Sequence, residues 1–151
     1  MGLDITAYRN IKIVEGEESE YYFANSGFKQ SNMTNIENKE IQIDFDESFD
    51  FRAGSYSGYN IFRNELCLAS NNITAEQLWS LQDETLKFYW LINFSDCEGY
   101  IGTSYCKILY DEFVKYEEEV KIKLDEYYHG KYDDFKEAFK VGASDGLVDF
   151  H

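Results

Sequence analysis

The chain contains no proline, two histidines and three cysteines, and it lacks any apolar run near the roughly 20 residues needed to cross a bilayer. Each shortage excludes something. Cys67, Cys97 and Cys106 are odd in number and form no CxxC pair, which argues against a disulfide framework and a zinc ribbon and fits a reducing compartment. The two histidines, His129 and His151, show no metal-ligand spacing, so no metal or cofactor is expected. Bases are also scarce, with 14 Lys and Arg against 29 Asp and Glu, a formal charge of −15. Such a surface repels phosphate backbones, and direct nucleic-acid binding is not expected. The opening Met1-Gly2-Leu3-Asp4-Ile5-Thr6 lacks the basic-then-apolar layout of a secretion signal. Gly2 with Thr6 fits the loose myristoylation template, but one acyl chain on so acidic a protein holds a membrane weakly. The expectation is a soluble protein of the cytoplasm that does not bind membranes.

What the chain does have is apolar and aromatic residues, 44% and 18% of its 151 positions, enough for a buried core. With no repeat and no Gly/Ser linker, residues 1–151 read as one domain. Period-two alternation marks strands at Leu3–Tyr8, Ile11–Ile13, Tyr21–Phe23 and Glu40–Phe45, with turns or loops over 15–20 and 25–38. From Ser57, a candidate cap, Tyr59, Phe62, Leu66 and Ala69 recur at helical spacing over about 12 residues. Thr74 with Gln77 forms a capping-box pattern ahead of a helix over 75–82. Leu86–Phe94 is apolar throughout and is taken as a buried strand. A stripe from Tyr105 through Ile108, Phe113, Val120 and Tyr127 predicts one amphipathic helix of about seven turns opened by Thr103 or Ser104, with His129 at its end. A last helix over 131–141 precedes an apolar closing segment expected to dock on the domain. The fold class expected is α+β, a small antiparallel sheet mainly from the first half with the long helix across it.

Two segments concentrate groups able to do chemistry. Ala53-Gly54-Ser55-Tyr56-Ser57-Gly58-Tyr59-Asn60-Ile61-Phe62-Arg63 runs from a small-residue turn into a helix N-terminus. Free backbone N–H groups, the Ser55 and Ser57 hydroxyls and Arg63 suit an anion such as phosphate, and Tyr56 and Tyr59 suit a stacked base. Glycines before a helix also simply make a turn, and neither the dinucleotide fingerprint nor the P-loop lysine is present. Ser95-Asp96-Cys97-Glu98 forms a polar knot in which Asp96 and Glu98 can act as paired carboxylates or receive ribose hydroxyls. The plainer account is a loop whose Asp and Ser bond local backbone. Asp44 to Phe51 alternates acids with aromatics, but Phe49 and Ser55 occupy the positions where a calcium loop needs Gly and Glu.

Together, Gly2-Leu3-Asp4-Ile5-Thr6-Ala7-Tyr8, the Ala53–Arg63 and Ile92–Gly102 segments and the closing Val148-Asp149-Phe150-His151 resemble a family of small, functionally unassigned proteins encoded by phages and prophages. The resemblance implies a phage protein working in the host cytoplasm against a host defence system. The reading taken is a binding protein, not an enzyme, for a nucleotide-like signal, with Ser55, Tyr56, Ser57, Tyr59, Arg63, Ser95, Asp96, Cys97, Glu98 and His151 as ligand residues. Arg9 and Arg52 are further local sources of positive charge. One alternative is an acidic DNA mimic or protein inhibitor of a basic host defence protein, and another is a small hydrolase using Asp96, Glu98 or His151. The aromatic excess leaves room for a homodimer patch.

Overall fold

A computed structural model describes residues 2–13, 22–23, 41–94 and 99–151. The expected α+β class is found, built on a four-stranded antiparallel sheet in the order β5-β1-β7-β6. β1 (Leu3–Arg9) buries Leu3, Ile5 and Ala7 on one face, the period-two consequence of its alternation. β5 (Glu47–Gly54) and β7 (Leu147–Phe150) flank it, and β6 (Gly99–Gly102) pairs with β7. The apolar closing segment is therefore an interior strand, with Val148 and Phe150 turned into the core. Only β1 and β5 of this sheet come from the first half of the chain, a correction to the expected origin of the sheet. The other first-half strands form a separate ladder in which β4 (Ile41–Asp44) pairs with β2 (Lys12–Ile13) and β3 (Tyr22–Phe23). Ile43 joins Tyr8, Tyr100 and Leu147 in a small second core on the outer face of the main sheet.

The inner face is covered by helices. α1 (Tyr56–Asn71) is capped by Ser55, whose extended backbone and Oγ, accepting from the Gly58 N–H at 3.0 Å, start the helix two residues before the expected Ser57 cap. α2 (Ala75–Leu81) has the expected box: Gln77 N–H donates to Thr74 Oγ1 at 3.1 Å and Thr74 N–H to Gln77 Oε1 at 2.8 Å. The apolar 86–94 run is not a strand but a set of turns and the short helix α3 (Tyr89–Ile92). Side chains satisfy its backbone in place of a sheet neighbour. Asn71 both donates to Lys87 O and accepts from Lys87 N–H at 2.8 Å, and Phe88 N–H, at φ 58°, donates to Glu112 Oε2 at 2.8 Å.

The expected seven-turn helix is also interrupted. α4 (Thr103–Lys115) ends at Tyr116, α5 (Glu117–Lys123) ends at Leu124, and a 3₁₀ turn, Glu126–Tyr128, leads into α6 (His129–Gly142). The Tyr132 hydroxyl donates to the Phe113 carbonyl at 2.6 Å, a carbonyl that a continuous helix would pair with residue 117. His129 consequently begins α6 and does not end the long helix, and its Nε2 lies 2.9 Å from the Leu124 carbonyl. The helix packed on the sheet is α6, against β1, β5 and β7, and α4 packs on α6 in turn. Phe135 centres this contact, stacked on Phe62 at 5.6 Å with Phe51, Tyr59 and Phe150 around it. Among the described residues no helix is long and apolar enough to cross a membrane.

Candidate functional site

Strand register brings distant segments to one end of the sheet. Leu3 lies opposite Gly54, the Asp4 and His151 backbones exchange two hydrogen bonds of 2.9 Å, and Gly99 lies opposite Phe150. The Ser55 turn, His151 and the start of β6 therefore lie at the same end of the sheet. Ser95, Asp96, Cys97 and Glu98 lie outside the described residues.

The residues of the Ser55 turn divide by role. Ser55 is the cap of α1, and exposed Ser57 places its Oγ 3.2 Å from Ser55 Oγ. Gly58 N–H is taken by Ser55, and Tyr59 N–H donates to the Ser55 carbonyl at 2.9 Å. The N–H groups of Tyr56 and Ser57 are the ones no intrahelical carbonyl reaches. Tyr56 is half-buried against the core, while Tyr59 is fully buried beside Phe135 and Phe150, with no face left for a base.

Arg63 is only 4% exposed and faces inward. Its Nη1 donates to the carbonyls of Ile92, at 3.0 Å, and Phe94, while Nη2 donates to Asn60 Oδ1. The guanidinium sits 4.9 Å from the Tyr59 ring centroid and 5.4 Å from that of Trp79, whose Nε1 also donates to the Ile92 carbonyl. This arginine is a clamp that fixes the backbone just ahead of residue 95. The other two arginines are paired, Arg9 with Glu47 at 2.6 Å and Arg52 with Asp4 at 2.8 and 3.0 Å.

The positive charge at the turn comes instead from Lys131, in the first turn of α6, a residue the sequence analysis passed over. Its Nζ lies 3.4 Å from the point a Cβ on Gly54 would occupy, at the entrance to α1, and 5.7 Å from the Phe62 ring centroid. Gly54 holds φ +103°, a conformation glycine adopts without strain, and its missing side chain leaves the ammonium room. Four lysines among the described residues are half-buried: Lys87, Lys121 and Lys136 each contact a carboxylate, and Lys131 does not. Burial alone pushes its ammonium below the ordinary value, with no neighbouring carboxylate pulling it back.

The remaining chemistry is quieter. Cys67 and Cys106 are buried, and burial pushes both thiols upward, away from the thiolate a nucleophile needs. His151 Nε2 lies 3.0 Å from Thr6 Oγ1. Among the described residues no group of three His, Cys, Asp or Glu is arranged to hold a metal.

Asp149, on β7 between Thr6 and Tyr100, is half-buried, and desolvation pushes its carboxyl up to about 7. Below pH about 4 the folded and unfolded chains both keep this proton. Between about 4 and 7 only the unfolded chain releases it, so stability falls as pH rises. Asp149→Asn is expected to remove this penalty, about 2–4 kcal/mol at pH 8, and to raise Tm there by several degrees with little change at pH 4.5. Thermal melts at the two pH values check this, and a variant less stable than wild type at pH 8 contradicts it.

Comparisons with protein families, curated proteins and solved structures find no match to the chain.

Proposed function

We propose that the protein is a binding protein for a small phosphate-bearing, nucleotide-like molecule, held at the end of the sheet where α1 and α6 both begin. The observation that carries this reading is Lys131, a half-buried ammonium without a carboxylate in a chain where acids outnumber bases by 29 to 14. A desolvated cation costs stability unless an anion meets it. An anion here would also meet the Tyr56 and Ser57 N–H groups, the Ser57 hydroxyl and the positive end of a 16-residue helix. His151 lies at the same end of the sheet but on its outer face, beside Thr6, and takes no part in this site. In the phage setting implied by the resemblance, the ligand is a signalling nucleotide of the host's defence, removed from circulation by binding.

The test is a thermal-shift titration with pyrophosphate and with nucleoside mono-, di- and triphosphates. A ligand at about 100 times its Kd adds about 2.7 kcal/mol, which for a domain of this size raises Tm by about 5–10 °C. Lys131→Met is expected to lose that rise while being no less stable than wild type without ligand, because it removes a desolvated charge and keeps a side chain of similar length. No shift with any phosphate compound, or an equal shift in the variant, overturns the proposal.

The −15 charge favours a second reading, an acidic inhibitor of a basic host defence protein. A basic protein co-purifying stoichiometrically with the chain would favour it over the first.

A further inference from the structure

The outer face of the main sheet carries a cleft of about 240 Å³, on the side away from α1 and α6. Asp4, Thr6, Ser48, Asp50 and His151 are among the residues that line it, and register sets the rows they belong to. Asp50, Thr6 and Asp149 stand side by side on β5, β1 and β7, and Arg52, Asp4 and His151 form the next row. Phe45, edge-on to Tyr8 at 4.7 Å between ring centroids, makes an apolar wall, and His151, 3.0 Å from Thr6 Oγ1, makes the opposite one. The arginines near this face are already engaged, Arg52 by both Asp4 carboxylate oxygens and Arg9 by Glu47. Asp50 is exposed, with no ion pair to any described residue, and the Ser48 and Thr6 hydroxyls line the cleft beside it.

We infer that this cleft binds an alkyl cation, a guanidinium or ammonium head on a short apolar stem, with the head on Asp50 and the stem along Phe45. A free carboxylate beside hydroxyl acceptors and an apolar wall is the chemistry that recognises a cationic head on an apolar stem. Arg52 holds Asp4, and among the described residues no three His, Cys, Asp or Glu side chains are grouped to hold a metal. The volume lies below the roughly 300–1,000 Å³ of sites for whole small ligands, which limits the occupant to something the size of one side chain. The site is independent of Lys131 and opposite to it in charge preference. The same head group comes either from a free alkylguanidinium or from an arginine on a basic chain.

The test is a titration at constant ionic strength of the ¹⁵N-labelled protein with ethylguanidinium and, separately, with a capped Gly-Arg-Gly peptide, followed by amide NMR shifts. Saturable shifts are expected at Thr6, Ser48, Asp50 and His151. Asp50→Asn is expected to weaken binding at least fivefold with unchanged Tm, and Lys131→Met to bind as wild type does. Both results support the site, and peptide binding tenfold tighter than ethylguanidinium assigns a basic chain as the source, equal binding a free cation. Shifts that never saturate and scatter over all acidic surfaces, or that persist unchanged in Asp50→Asn, overturn the inference.

Discussion

Gly146→Ala is expected to abolish folding, a larger effect than the same change at Gly142 or Gly130. A Cβ at Gly146 would stand 1.7 Å from the Tyr8 carbonyl oxygen and 2.8 Å from its carbon, far inside contact distance. The obstacle is backbone, so no side-chain rotation relieves it. Tyr8 is fixed in β1 by pairing with Ser48 on one side and Leu147 on the other, so moving it means breaking the centre of the sheet. A cost above about 5 kcal/mol follows, comparable to the whole stability of many domains. Two neighbouring glycines grade the test. Gly142→Ala meets Cys106 Sγ at 2.7 Å, Val148 Cγ2 at 2.9 Å and the Leu147 backbone carbon at 3.3 Å, so buried side chains must shift, and it is expected to cost about 1–3 kcal/mol. Gly130→Ala meets nothing within 4 Å and is expected to be neutral or slightly stabilising through helix propensity. Urea denaturation of the three variants checks the order, and a soluble, cooperative Gly146→Ala variant contradicts it.

Arg63→Ala is expected to lower Tm by about 10 °C, through loss of about 3–5 kcal/mol. The sequence pattern alone suggests a ligand-pairing arginine whose loss spares the fold. The structure gives the opposite expectation, because the guanidinium is buried and donates to the Ile92 and Phe94 carbonyls and to Asn60. Removing it leaves the Phe94 carbonyl and Asn60 without that donor and opens a cavity between Tyr59 and Trp79. Arg63→Lys is expected to recover less than half of the loss, since a point ammonium cannot span the acceptors served by a planar fork. Thermal melts without ligand decide the matter, and an unchanged Tm in Arg63→Ala would return the residue to the ligand-pairing role.

The parts of the fold legible in the sequence are those governed by local chemistry. Leu3, Ile5 and Ala7 announce a one-sided strand, Thr74 and Gln77 announce a helix start, and Leu147 to Phe150 reads as apolar enough to need covering. What stayed hidden depends on partners far along the chain. Phe88 turns left-handed because Asn71 and Glu112, on other helices, satisfy the backbone around it, and the apolar run itself carries no trace of either. Tyr116 interrupts the long stripe where Tyr132 takes the Phe113 carbonyl, again a partner from another helix. The same limit applies to the site. The Ser55 turn is recognisable as a helix entrance, yet Arg63 of the same segment faces the core and the cation at the turn arrives from α6. A single sequence gives Lys131 no distinguishing pattern, because its isolation from carboxylates exists only in three dimensions.

Two charge environments thus coexist on a chain of net −15. Among the described residues, the Lys131 ammonium at the helix entrances has no carboxylate partner, and the Asp50 carboxylate on the outer sheet face has no ion pair. The central claim is that the first is the binding site of a phosphate-bearing molecule. Native mass spectrometry of the protein purified from phage-infected cells, with heat release of anything bound, tests it most directly. A nucleotide-like mass is expected near one per chain in wild type and absent from Lys131→Met. Wild-type protein that emerges bare from those cells, or a variant that retains the same mass, would contradict it.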